Sequence, residues 1–250
     1  MFSLLKKKSQ ELPTIDFSNI AVDFHAHWLP AVDDGCQTIE ESITILTELK
    51  HRGYKKVYVS PHIMGERYTN TKHELKARFE DFKNSQLVVD LNLELGLTAE
   101  YLLDEKFEDQ IKSNNFLTLG NDHLLIETSM NYDFPFVNDY IFELQKLGYK
   151  LILAHPERYR YIYQEKNSID LYLRLIDMGV ELQLNLFSLV GLFGAESQKM
   201  AERLIEHGAY TYVSSDIHHP QQIKYFIELQ NSVFLNTLIL SNKLSNQLFL

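Results

Sequence analysis

The feature that most constrains this chain is an alternation of short apolar segments with helical stretches that carry their own start and stop signals. Apolar segments fall at residues 21–25, 56–60, 91–99, 124–126, 150–154, 181–184 and 210–214. Between them run stretches with helical periodicity at 39–52, 72–85, 107–112, 138–147, 168–178 and 195–207. Thr38-Ile39-Glu40-Glu41 and Thr71-Lys72-His73-Glu74 are capping boxes, in which Thr and Glu side chains satisfy the free amides of a helix start. Gly53, Gly148, Gly179 and Gly208 stop four of the helices. Strands separated by helices of this length pair in parallel through right-handed crossovers. A length of 250 residues suits one β/α barrel. The expected fold is therefore α/β, a closed or nearly closed seven-stranded parallel β/α barrel over residues 20–250. An open doubly wound sheet is the alternative. Residues 1–19 read as a tail or added element outside the repeat.

The segments end alike. His25 and His27 close the first, two residues apart and so on one side of an extended chain. The later ones deliver His62, Glu100, Glu127, His155, Asn185, and Asp216 with His218. Chemistry in β/α barrels is done at the carboxyl ends of the strands, where these residues fall. With Asp34 from the loop after the first strand, there are nine candidate metal ligands, five histidines and four carboxylates. Converging buried carboxylates need cations. Imidazole and carboxylate without thiolate suit manganese, iron or zinc, and nine ligands exceed the needs of one ion, implying two or three. A net charge of -10 argues against nucleic-acid binding, although bound cations would make the pocket attractive to a phosphate. One cysteine, no secretion signal and no bilayer-length apolar run give a cytoplasmic expectation without membrane insertion.

Asp23-Phe24-His25-Ala26-His27, Ser60-Pro61-His62, Ala99-Glu100, Ile126-Glu127, Ala154-His155-Pro156-Glu157-Arg158 and Ser215-Asp216-Ile217-His218 resemble, in order, the motifs of the PHP family, named for polymerase and histidinol phosphatase. The Val32-Asp33-Asp34-Gly35 and His155-Pro156-Glu157-Arg158 runs are similar to those of its bacterial metal-dependent protein-tyrosine phosphatases from capsule and exopolysaccharide loci. The resemblance implies a distorted seven-stranded barrel with a trinuclear centre. It implies one ion on His25, His27, Glu100 and Asp216, a second on Glu100, Glu127 and His155, and a third on Asp34, His62 and His218. Arg158 would bind the substrate phosphate, with Arg158 and His155 as catalytic residues. The expected partner is a phosphotyrosine protein, by resemblance a bacterial tyrosine kinase controlling polysaccharide synthesis or export. The expected chemistry is in-line attack on phosphorus by a metal-bridged hydroxide.

One departure stands out. Phosphatases of this family tend to carry a second arginine shortly after the last Asp-x-His, and here His218 is followed by His219-Pro220-Gln221-Gln222-Ile223-Lys224. Lys224, or Arg67 and Arg160 from other loops, could stand in, though a lysine offers a point charge rather than a fork. Three other readings compete: a histidinol-phosphate-like small-molecule phosphatase, an amidohydrolase, and a phospho-binding module without turnover. Cys36 has Ser42, not arginine, six positions on, so a thiol-based tyrosine phosphatase is excluded. Trp28, Tyr68, Tyr132 and Phe187 are loop aromatics that could meet an aromatic substrate or simply pack. Tyr159, Tyr161 and Tyr163 read as packing residues, with rim contacts as the alternative. The irregular stretch 187–194 reads as a lid or a long connection.

Overall fold

In the computed structural model, residues 15–250 are described, except 134, 164, 166 and 242. Two parallel sheets are built from nine strands. The strands are β1 (Val22–Asp23), β2 (Lys56–Val59), β3 (His62–Ile63), β4 (Glu94–Leu97), β5 (Glu100–Leu102), β6 (His123–Glu127), β7 (Lys150–Ala154), β8 (Val180–Asn185) and β9 (Tyr210–Ser214). One sheet has the order β1-β2-β4, the other β3-β5-β6-β7-β8-β9.

The expected count of seven is thus corrected to nine, and for a physical reason. Two of the predicted segments break and resume. Between β2 and β3 stands Pro61, which has no N–H to give a ladder. The chain there shifts from the first sheet to the second, and β4 and β5 shift with it. The two segments stay together across the break, through Thr98 N to Val59 O at 2.9 Å and Glu100 N to Pro61 O at 3.0 Å. At the other seam, Asp216 N bonds His25 O at 2.7 Å and His27 N bonds Ile217 O at 2.9 Å, with a single parallel bridge between Ala26 and Ile217. The buried Asn246 amide spans the same seam lower down, donating to Val22 O and Val213 O and accepting from Val213 N at 3.1 Å. These bonds hold the start of the first sheet against the end of the second.

Side chains inside the strand array form their own core. Phe24, Tyr58, Leu125, Ile152, Tyr212 and Phe249 are buried together. Phe249, from a short helix at Asn246–Phe249, lies edge-on to Phe24 at 5.3 Å and closes the amino end. The helices cover the outside. Thr38 and Thr71 form the capping boxes expected of them. The helix Ile39–His51 buries Ile45, Leu46 and Leu49 and ends before Gly53 at φ 93°, a conformation glycine alone adopts freely. Part of the predicted tail joins this core. Asp16 caps a 3-10 turn at Phe17–Asn19, and Phe17 is buried between Tyr54 and Phe226. The rest of that stretch, residues 1–14, lies outside the described residues. The irregular stretch 187–194 begins in a 3-10 helix at Leu186–Val190 that buries four side chains, so it packs as a connection.

Candidate metal centre

All nine predicted ligands meet at the carboxyl ends of the strands. His25 and His27 follow β1, where alternation and the seam with Ile217 turn both rings inward, their centroids 5.4 Å apart. His62 opens β3 and Glu100 opens β5, so the breaks after β2 and β4 aim these two at the centre. Glu127 ends β6, His155 follows β7, and Asp216 and His218 follow β9. His155 and Asp216 both take positive φ, 35° and 51°. Non-glycine residues held in that region mark places where surroundings fix the backbone.

Glu100 sits in the middle. Its Oε2 lies 3.0 Å from His62 Nδ1, 3.2 Å from His25 Nε2 and 3.5 Å from His27 Nε2, and its Oε1 is 2.9 Å from His155 Nε2. Asp216 Oδ1 lies 3.2 Å from His25 Nε2 and 3.4 Å from His27 Nε2. Glu127 Oε1 is 3.5 Å from His62 Nδ1. Asp34 Oδ1 lies 3.3 Å from His62 Nε2 and 3.7 Å from His218 Nε2. Four overlapping trios each bring ligand atoms within 4.8 Å of one another: His27/His62/His218, His25/His27/Asp216, His25/Glu100/His155 and His62/Glu100/Glu127.

Of these close approaches, the one between His155 Nε2 and Glu100 Oε1 is a hydrogen bond. His25 Nε2, His27 Nε2, His62 Nδ1, Glu100 Oε2, Glu127 Oε1 and Asp216 Oδ1 are buried without a hydrogen-bond partner. Leaving one such atom unpaired costs about 1–3 kcal/mol, so six at one point need a shared partner. A divalent cation would be such a partner, and the donor set fits one. Without it, protons take the role. Burial opposes a charge on His25, but Glu100 and Asp216 raise its pKa well above the ordinary value. Burial opposes it on His27 too, yet Asp33 lifts the ring to about 10. His218 goes the other way, pushed down to about 4 by burial and by His27, on which it stacks at 4.0 Å. Burial would raise Glu100, and His25 and His62 hold it well below the carboxylate range.

Further residues orient the ligands, and several carry no signal in the sequence. Gln183 Oε1 lies 2.9 Å from His25 Nδ1 and Asp33 Oδ2 2.8 Å from His27 Nδ1, which leaves each Nε2 facing the centre. Asn185 donates to Asp216 Oδ2 at 2.8 Å. Buried Glu157 accepts from Asn185 N, Ser188 Oγ and Tyr210 OH, fixing the turn that carries His155 and Arg158. Gln183 was legible only in hindsight, as a polar residue in an apolar strand.

Above the ligands is a cavity of about 390 Å³. Arg158, Arg67 and Tyr132 line it, along with the stretch Thr128–Asn131. Arg158 Nη1 donates to Asp216 Oδ2 at 2.7 Å, and its guanidinium covers the Phe193 ring at 4.0 Å. Arg67 is exposed, 3.8 Å from Asp34. Lys224 does not line the cavity; its Nζ lies 4.9 Å from the Tyr225 ring centre. Of the loop aromatics, Trp28 and Phe187 are buried packing residues, while Tyr68 stacks on His62 and Tyr132 is exposed at the mouth. Tyr159 and Tyr163 pack, bonding Ala154 O and Glu157 O.

The profile of the capsular polysaccharide synthesis family CpsB/CapC matches residues 21–230. The chain belongs to that family. It is 30% identical over 237 residues to CapC of Staphylococcus aureus, provisionally named a tyrosine-protein phosphatase, covering 89% of this chain and 92% of that one. It is 26% identical over 215 residues to the tyrosine-protein phosphatase YwqE of Bacillus subtilis (strain 168), covering 83% and 84% of the two. A crystal structure from work on YwqE and on CpsB of Streptococcus pneumoniae, described as metal-dependent tyrosine phosphatases, shares the fold. Its TM-score is 0.74 at 24% identity, over 91% of this chain and 93% of that one.

Proposed function

We propose that this CpsB/CapC member is a metal-dependent protein-tyrosine phosphatase, acting on a phosphotyrosine protein such as a bacterial tyrosine kinase of polysaccharide synthesis. The observation that carries it is the set of buried, unpartnered imidazole and carboxylate atoms converging on Glu100 below an arginine-edged cavity. The names of the relatives point the same way. His25, His27, Glu100 and Asp216 would hold one ion, Glu100, Glu127 and His155 a second, and Asp34, His62 and His218 a third. Manganese, iron and zinc all suit the donors. Bound there, such ions supply an activated water and charge neutralisation at phosphorus.

The chain's own residues do the rest. Glu100 links the ligand sets, and His155, held on Glu100, is one of its anchors. Arg158 offers the substrate phosphate the N–H groups not taken by Asp216, its plane set by Phe193. Asp33 and Gln183 keep the rings of His27 and His25 in the tautomer that presents Nε2. A tyrosine leaving group, with a pKa of about 10, asks little of a general acid. The nine strands also support one distorted barrel of seven segments, if β2/β3 and β4/β5 each count once and the bonds at Ile217 and Asn246 close the seam.

The test is phosphate release by the manganese-loaded protein from a phosphotyrosine peptide, beside histidinol phosphate, with His155→Ala as control. Turnover of the peptide that vanishes in the variant is the expected result. Turnover of the small molecule alone would move the protein to a metabolic role. Tight peptide binding without release would make it a binding module.

A further inference from the structure

Beside the metal cavity lies a second cleft of about 330 Å³, lined by Met130, Asn131, Arg158, Arg160, Tyr163, Leu192 and Phe193. Met130, Asn131 and Arg158 line both, so the two are contiguous. Arg158 stands on the wall between them. Arg160 faces only the second, which is why it does not replace the missing phosphate-binding arginine.

In a chain of net charge -10, this cleft is unusual. Its lining holds two arginines and no carboxylate. Arg158 gives one nitrogen to Asp216 and its face to Phe193, and its other N–H groups are the ones assigned to the substrate phosphate. Arg160 is exposed and, among the described residues, its guanidinium has no ion pair or hydrogen bond. Its backbone is fixed, since Arg160 N donates to Met130 O at 2.8 Å and ties the residue to the loop that edges both cavities. Leu192 and Phe193 give the cleft an apolar wall along which a side chain's methylenes can lie.

We infer that this cleft is a specificity subsite, in which Arg160 receives a carboxylate side chain flanking the phosphotyrosine of a protein substrate. The inference rests on the tyrosine-phosphatase reading and goes beyond it, since it assigns sequence preference to a residue outside the metal centre. An arginine fork can take a carboxylate through two N–H groups, which a neutral or basic side chain does not match. The ion pair forms at the rim, so it changes how well peptides bind more than how fast bound phosphate leaves.

The experiment uses phosphotyrosine peptides with Glu or Lys placed, one at a time, at the two positions on either side of the phosphotyrosine. Wild-type protein and the Arg160→Gln and Arg160→Glu variants are compared, with p-nitrophenyl phosphate as a substrate that has no flanking residue. Wild type should favour Glu over Lys at one position by roughly fivefold in KM, the size an exposed ion pair supports. Arg160→Gln should erase the preference, and Arg160→Glu should invert it. The kcat on each peptide and all turnover of p-nitrophenyl phosphate should stay at wild-type values. Peptide turnover with an unchanged Glu/Lys ranking in Arg160→Glu would overturn the subsite alone. Failure to hydrolyse every peptide, with p-nitrophenyl phosphate still turned over, would overturn the tyrosine-phosphatase reading and the subsite with it.

Discussion

Both ends of the strand array carry histidine and carboxylate, and they use them in opposite ways. At the amino end, Asp122 lies between His123 and Lys150, at 2.9 and 3.1 Å. Glu181 accepts from Tyr212 OH at 3.1 Å and lies 3.7 Å from His123 Nε2. Lys150 and Asp122 remain substantially exposed. None of those five side chains is among the buried atoms without a partner. At the carboxyl end no lysine among the described residues lines the cavity, every candidate ligand but Asp34 and His218 is buried, and six atoms at the centre lack hydrogen-bond partners. What marks a site is thus the unmet demand of its buried atoms rather than their charge.

The strongest way to break this comparison is to remove the central ligand. Glu100→Gln should lose bound metal, measured by elemental analysis, and lower phosphate release by roughly a thousandfold. The same substitution at the amino end, Glu181→Gln, should leave both near wild type. If Glu100→Gln kept its metal and its activity, the central role given to Glu100 would fail.

Chelation tests the same contrast through stability. A ligand at a thousand times its Kd adds about 4 kcal/mol. In a domain of this size that is worth roughly 8–15 °C in Tm. Removal of divalent ions should lower the Tm by that order, and their return should restore it. Glu181→Gln should respond like wild type, whereas Glu100→Gln should lose most of the response. A smaller effect is expected where the contact is one step removed. Gln183→Leu takes the hydrogen bond from His25 Nδ1 without touching a ligand, and should weaken metal affinity by about 10–100-fold. Titration of metal into the chelated variant measures it. Asn246→Ala, at the seam, should cost about 2 kcal/mol of stability by exposing unpaired backbone groups of Val22 and Val213, with metal affinity unchanged.

The two ends also differ in how far the sequence announced them. The convergence of the nine candidate ligands was legible because eight lie at or just past the end of an apolar segment and Asp34 in the loop after the first, and the alternation sends all of these to one end. The helices were legible through Thr38, Thr71 and the glycines, which act on their own neighbours. What was hidden depends on contacts far apart in the chain. The apolar segment 56–60 stops short of Pro61, and only the pairing of β3 with β5 shows that the chain resumes as a strand at His62. Gln183 meets His25 across 158 residues, and Asn246 meets Val22 across 224. Lys224 was attractive from its distance after His218, but its helix directs it to Tyr225. Arg160 was visible as a charge, and its cleft was not.

The smallest expected effect comes from the amino end itself. Burial holds the His123 pKa below its ordinary value, against the pull of Asp122 and Glu181. The folded chain therefore favours the neutral ring, while the unfolded chain takes up a proton more readily. Stability from this residue is present at neutral pH and is lost as the pH falls below about 6.5, through the ordinary histidine range. In His123→Gln that loss disappears. A series of Tm measurements from pH 7.5 to about 5 should show the variant losing slightly less than wild type, with metal content equal at pH 7.5. To keep the carboxyl-end histidines out of the comparison, both proteins are read as a difference at each pH. A variant that instead lost more than wild type on acidification would mean that His123 is stabilised as the cation, and that the amino end is a charged pair rather than a satisfied neutral one.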